Sequence, residues 1–359
     1  MKRFRILLLF CWCINLPAIA CTTFVLEGGD RIYFGRNLDW DWESGMVFVN
    51  QRNVQKRAFV AAENAVKWKS KYGSVTFNQF GREMPFGGMN EAGLVVENMW
   101  LDETKYPKAD TRPEISMLQW IQYQLDNCAT VEEVIATDKQ IRLENTPVRA
   151  RIHYLVCDAK GDTATIEFLD GEMRVHRGKD LSHRALANDP YKPSADYLKG
   201  HPQPENLSKP LAKTDSLDRF CRAAARATTF KPAKESTQDV AYAFATLDQV
   251  RQGKYTVWQM VYDVPARQIH FRTLTNPQIR RVDLKTLNFE CNRPVQCVDI
   301  QSNLTGAGAL PFQNFEEAAH RDYLIKFAAQ DSLKQQVGDL SQMIDPLLFT
   351  LRTYKCADQ

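Results

Sequence analysis

Two strand-length runs, Cys21 to Leu26 and Arg31 to Arg36, flank Glu27-Gly28-Gly29-Asp30. Apolar runs joined by a glycine-rich turn predict a β-hairpin. Residues 151–157 and 163–169 alternate with period two, placing Ala164, Ile166 and Phe168 on one face and Thr163, Thr165 and Glu167 on the other. Residues 255–264 and 268–274 form a second such pair, joined through Pro265-Ala266-Arg267. Helical spacing appears between these groups. Pro113 stands at a first helical position, with Leu118, Ile121 and Leu125 as the apolar stripe that follows. Thr130 with Glu133 is a capping box opening a helix toward Ala136. Residues 216–227, 237–249 and the segment after Phe315 also read as helices, and the polar, proline-containing stretch 199–214 as a linker or surface loop. Strand groups separated by helices predict a sheet-rich core covered by helices.

The first twenty residues follow a different logic. Lys2, Arg3 and Arg5 precede an apolar run from Ile6 to Leu16, and Pro17-Ala18-Ile19-Ala20 ends in an Ala-x-Ala pattern. That is an export signal, shorter than the run of about 20 apolar residues a membrane span needs. Residues 1–20 are therefore read as a signal peptide and residues 21–359 as one domain, periplasmic or secreted, with no stable membrane insertion once the signal is gone. Cys21 becomes the first residue of the mature chain. A cysteine in that place is also where a lipoprotein carries its lipid, but lipid attachment usually wants leucine three residues earlier, and Ala18 stands there.

Removing the signal takes three of the 46 basic residues and leaves as many as the 43 acidic ones. A formally neutral chain without blocks of like charge offers no electrostatic case for binding nucleic acid. Of the nine cysteines, Cys11 and Cys13 leave with the signal, so Cys21, Cys128, Cys157, Cys221, Cys291, Cys297 and Cys356 remain. The odd number leaves one thiol unpaired in an oxidising compartment. Cys291 and Cys297 are close enough in sequence for a disulfide, with two buried free thiols the equal alternative.

Candidate chemistry gathers at the hairpin. A turn centred on Gly28-Gly29 sets Cys21 opposite Arg36, and opposed side chains in an antiparallel pair have Cβ atoms about 4.5–5.5 Å apart. A guanidinium there favours thiolate. A free α-amine, with an ordinary pKa near 7.7, accepts a proton at neutral pH. One residue thus offers nucleophile and base for attack on an amide carbonyl. Asp39, just beyond the strand, is placed to anchor the amine. The bland alternative is a surface ion pair beside an incidental cysteine. Other hydrolytic and phosphate signatures are missing: the sequence has no Gly-x-Ser-x-Gly, no His-Glu-x-x-His and no phosphate loop, and its six histidines show no ligand spacing.

Cys21-Thr22-x-Phe24, Gly35-Arg36-Asn37-x-Asp39-Trp40 and Gly88-Met89-Asn90-Glu91-x-Gly93-Leu94 resemble, in order and spacing, the choloylglycine hydrolase and penicillin V acylase family. The resemblance covers most of residues 21–359 and is strongest over residues 21–100. It implies an α+β fold, the four-layer αββα sandwich of the N-terminal nucleophile hydrolases. It also implies an amidohydrolase acting on small-molecule N-acyl amides without cofactor or metal, with oligomers known among its members. The family's nucleophile falls on Cys21, its arginine on Arg36 and its amine-binding aspartate on Asp39. Ala187-Asn188-Asp189-Pro190 resembles the segment with the oxyanion asparagine, which lands on Asn188, and Arg219 in Asp218-Arg219-Phe220 resembles a further active-site arginine. Without the resemblance, Asn188 reads as a turn residue and Arg219 as a solvated charge.

The position often held by asparagine in bile salt hydrolases falls on Trp100, whose backbone N–H can still serve an oxyanion hole. Trp100, with Trp40 after Asp39, is more similar to the Gram-negative branch, which acts on penicillin V and acyl-homoserine lactones. The resemblance thus implies an acylase of that kind, with both tryptophans as substrate-binding walls. A conjugated bile salt hydrolase is the first alternative and a non-catalytic lipoprotein lipidated at Cys21 the second.

Overall fold

The structure, a computed structural model, describes residues 20–61, 63–144, 150–201, 215–302 and 310–357. The export signal up to residue 19 and the stretch 199–214 from residue 202 onward lie outside the described residues.

The hairpin forms, with strands Ala20–Gly28 and Arg31–Asp39. Its loop is the two residues Gly29-Asp30, and Gly29 takes a φ of 61°, the positive value a tight hairpin turn needs at its first central position. The turn therefore sits one residue later than a Gly28-Gly29 centre, and the register moves by two: Cys21 opposes Leu38, and Arg36 opposes Thr23. A shift of two keeps every side chain on its expected face, since strand side chains alternate with period two. Arg36 thus stays on the Cys21 face, as a diagonal neighbour.

Six antiparallel strands make the first sheet, in the order Ala185–Leu186, Ala20–Gly28, Arg31–Asp39, Thr256–Asp263, Gln268–Thr273 and Arg280–Asp283. Nine strands make the second, with Ile152–Cys157, Val95–Trp100, Gly87–Asn90 and Ser74–Asn78 at its centre. The two sheets face each other where Ala20–Gly28 packs against Val95–Trp100, and Phe77 of one meets Phe271 of the other edge to face at 5.4 Å. Helices Ser216–Thr229 and Ser236–Gln249 cover the outer face of the first sheet, and Trp120–Asn127 covers the second. Helix, sheet, sheet, helix is the αββα sandwich.

Each amphipathic stripe explains its layer. Phe220, Ala223 and Ala224 turn inward from Ser216–Thr229, as do Val240, Ala243, Phe244 and Leu247 from the next helix. The capping box holds: Thr130 accepts from the Glu133 N–H and opens Val131–Ala136. Pro113 is not helical. Its successors Glu114–Ile115 pair in parallel with Arg142–Leu143, and the helix starts later, at Trp120. The disulfide also differs from the nearest-neighbour expectation. Cys291 bonds Cys356, which the short strand Lys355–Cys356 brings alongside Val54–Arg57, and Cys297 is a buried free thiol.

Candidate active site

Cys21 lies near the start of its strand, 1 % exposed, at an apolar cavity walled by Trp40, Phe80, Phe86 and Trp100. The Arg36 guanidinium reaches its sulfur, Nη2 to Sγ, at 3.5 Å. Burial pushes the Cys21 thiol above its ordinary range, and Arg36 is the largest opposing influence. The same Nη2 donates to the Asn98 carbonyl at 3.0 Å, so the cation is fixed between the two sheets.

Asp39 ends the neighbouring strand, 1 % exposed, accepting from the Thr256 hydroxyl. Burial pushes its carboxyl up to about 6, against the pull of Arg219. Its second oxygen has no hydrogen-bond partner among the described residues, nor do Arg36 Nε and Trp40 Nε1. Buried polar atoms are ordinarily satisfied, so three unmet ones around one thiol mark a place built to receive something polar.

The Cys21 nitrogen goes to Asn188 rather than to Asp39: its N–H donates to Asn188 Oδ1 at 2.8 Å. Arg219 donates to that same oxygen at 2.8 Å and, through Nη1, to the Cys21 carbonyl at 2.5 Å and the Thr22 hydroxyl at 2.6 Å. Two donors on Oδ1 fix which way the amide points. Asn188 Nδ2 then donates to the Trp100 carbonyl at 2.8 Å. Leu101 N–H bonds Arg151 across the ladder, so the Trp100 N–H faces the other edge of its strand. On that edge the neighbouring strand Gly87–Asn90 has already ended. The Trp100 N–H and the Asn188 amide therefore lie on the same edge of this strand. The structure thus brings together Cys21, Arg36, Asp39, Asn188, Arg219, Trp40 and Trp100. Arg219, 1 % exposed, is no solvated charge. No cluster of three His, Cys, Asp or Glu side chains suited to a metal occurs among the described residues.

The sequence profile of the linear amide C–N hydrolases, choloylglycine hydrolase family, matches residues 21–198 and 210–297. The chain belongs to this family. It is 29 % identical over 315 residues to a penicillin V acylase of Pectobacterium atrosepticum, covering 76 % of this chain and 83 % of that one. The solved penicillin V acylase of Agrobacterium tumefaciens superposes with a TM-score of 0.72 at 25 % identity, over 82 % of this chain and 98 % of the other. A variant of the conjugated bile acid hydrolase of Clostridium perfringens shares the fold, with a TM-score of 0.64 at 18 % identity over 79 % and 97 %.

Around this site stand residues that sequence reasoning missed. Glu97 lies beneath Arg36, Oε2 to Nη1 2.8 Å, with both side chains fully buried, and the Tyr262 hydroxyl donates to its other oxygen. Burial pushes the Glu97 carboxyl up to about 7, with Arg36 opposing. A Cβ on Gly87 would fall 2.0 Å from that carboxyl, so glycine there makes the seat. His153, fully buried, spans Glu167 at 3.1 Å and the Ala187 carbonyl at 2.9 Å, fixing the backbone next to Asn188. For Glu97 the available signal was a charged residue in an apolar run, Val95-Val96-Glu97; Glu167, on the polar face of an alternating strand, gave none.

Proposed function

We propose that this amide hydrolase is exported, that Cys21 becomes its first residue, and that it cleaves N-acyl amides of the penicillin V or acyl-homoserine lactone kind through a thioester on Cys21. The supporting observation is the seat of Cys21: a thiol 3.5 Å from a buried guanidinium, opening on an apolar cavity, with its nitrogen held 2.8 Å from Asn188. Freed as an α-amine, that nitrogen takes the thiol proton, and Arg36 favours the thiolate that remains. The unmet Asp39 oxygen is an acceptor for the charged amine. The sulfur then attacks the substrate carbonyl, and the Asn188 amide with the Trp100 N–H receives the negative oxygen. Collapse of the tetrahedral species expels the amine with the proton held at the Cys21 nitrogen, and water hydrolyses the thioester by the same base.

Trp40 and Trp100 wall the cavity and favour apolar acyl groups such as phenoxyacetyl or a fatty chain. The test is kcat/KM of the mature protein for penicillin V, an N-acyl homoserine lactone and glycocholate, beside a form that retains one residue before Cys21. The mature form is expected to cleave the first two faster than glycocholate, and the extended form to be silent because a peptide nitrogen is no base. Glycocholate as the best substrate makes it a bile salt hydrolase. Full turnover by the extended form removes the amine mechanism, and a lipid adduct on Cys21 in the intact mass removes the amidase altogether.

A further inference from the structure

The family match ends at residue 297, yet the chain continues through three helices, Glu317–Ala328, Asp331–Val337 and Ile344–Arg352, before its last short strand. This segment is firmly seated. The Tyr323 hydroxyl donates to the Gln79 carbonyl at 2.9 Å, the Arg82 N–H donates to His320 Nε2 at 3.2 Å, and Tyr354 donates to the Arg57 carbonyl at 2.7 Å. Phe327 meets Phe80 edge to face at 5.1 Å.

Two apolar cavities lie along that seat. The Cys21 cavity measures about 20 Å³, and Val337, the last residue of the middle helix, is one of the residues that line it. The second, about 30 Å³, lies under the first and third of these helices, between Met84, Phe327, Met343 and Leu347. Phe80 and Leu118 line both, so they form the partition between them. A space of 20 Å³ holds a water molecule or so and no acyl chain. A substrate that enters must displace side chains, and the softest direction is toward the neighbouring apolar space, where only carbon-rich surfaces part.

We propose that this C-terminal segment determines acyl-chain length: Val337 limits the Cys21 cavity, and the space behind Phe80 and Leu118 takes the tail of a long unbranched acyl chain. The proposal rests on the amidase reading for its substrate and extends it to residues the family match does not reach. Each buried methylene strengthens binding by about fourfold, so a tail that reaches the second cavity is favoured steeply over one that stops at Phe80.

The experiment measures kcat/KM for butanoyl, octanoyl and dodecanoyl amides of one amine in the mature parent, in Leu347→Trp, which fills the second cavity, and in Met343→Ala, which enlarges it. The dodecanoyl-to-butanoyl ratio is expected to fall at least about tenfold in the first and to rise in the second, in steps that follow the number of methylenes buried. Ratios that stay together in all three proteins, or that move the same way in both variants, overturn the proposal. Calorimetric binding of dodecanoate and butyrate to the Cys21→Ala protein gives a readout without turnover. Tighter dodecanoate binding that Met343→Ala strengthens supports the tail site even if no amide is cleaved, in which case only the amidase reading falls. Equal binding of the two acids overturns the tail site whether or not amides are cleaved, and stands as the deciding measurement if Leu347→Trp fails to fold.

Discussion

The loop between Asn78 and Gly87 stands between two buried charge clusters. On one side Lys56 Nζ lies 2.9 Å from both Glu83 and Asp126, and Asp126 also accepts from Trp68 at 2.8 Å and Gln122 at 2.8 Å. On the other, Arg36 sits over the Phe86 ring, between Glu97 and the Cys21 sulfur. Lys56, Glu83 and Asp126 leave no side-chain polar atom without a partner among the described residues, although Gln122 Oε1 beside them is unmet. The Arg36 cluster does: Nη1 and Glu97 Oε2 are close without the alignment of a hydrogen bond, and Arg36 Nε has no partner. Burial is equal in the two, so burial does not separate a fastening from a site. Unspent hydrogen-bonding capacity does, because a closed cluster has nothing to offer a ligand and an open one retains donors for it.

The sharpest way to break the comparison is at the thiol. Cys21→Ala is expected to lower turnover by about a thousandfold or more while the melting temperature stays near that of the parent. Residual activity within tenfold by kinetic assay excludes Cys21 as nucleophile. The opposite pattern is expected of the closed cluster. Lys56→Met leaves two buried carboxylates without their cation and costs about 3–5 kcal/mol of stability by urea unfolding. The kcat/KM per folded molecule stays within about threefold, and a larger drop means that Lys56 reaches the chemistry. Trp100→Ala keeps the backbone N–H and removes the wall, so the ratio of penicillin V to glycocholate turnover should fall several-fold. An unchanged ratio takes Trp100 out of the pocket.

The smallest effect concerns pH. Glu97, raised to about 7 in the folded chain, contributes stability that is full below its unfolded value and is lost as pH rises through 7. Glutamine cannot ionise. The melting temperature of Glu97→Gln relative to the parent should therefore improve by a few degrees between pH 5 and pH 8. A difference that stays flat from pH 5 to pH 8 shows that Arg36 holds Glu97 ionised instead.

Cys21, Arg36 and Asp39 were legible because one hairpin and its exit place them, and local spacing is what a sequence displays best; Trp40 and Trp100 came only with the resemblance. Asn188 and Arg219 were legible only through resemblance, since a turn asparagine and a helix arginine look alike inside or outside a site. The hairpin register slipped by two because glycine at both Gly28 and Gly29 allows two turn centres, and the choice falls to packing. The Cys291 partner was hidden for a different reason: Cys356 is 65 residues away, and the pairing of Lys355–Cys356 with Val54–Arg57 sets the distance. Glu97, Tyr262 and His153 come from three separate strands and meet only when the sheets stack.

The Cys291–Cys356 bond changes what kind of object the last sixty residues are. A C-terminal tail ordinarily frays from its free end. Here the end is bonded back to the body, so the three helices form part of a covalent ring. Such a ring undocks by bulging at its middle, with both ends held, and its loss of chain freedom on docking is smaller than a free tail's. It also answers a protease differently. A single cut in an exposed turn of the segment leaves both fragments attached under oxidising conditions, and only a reductant releases the C-terminal piece.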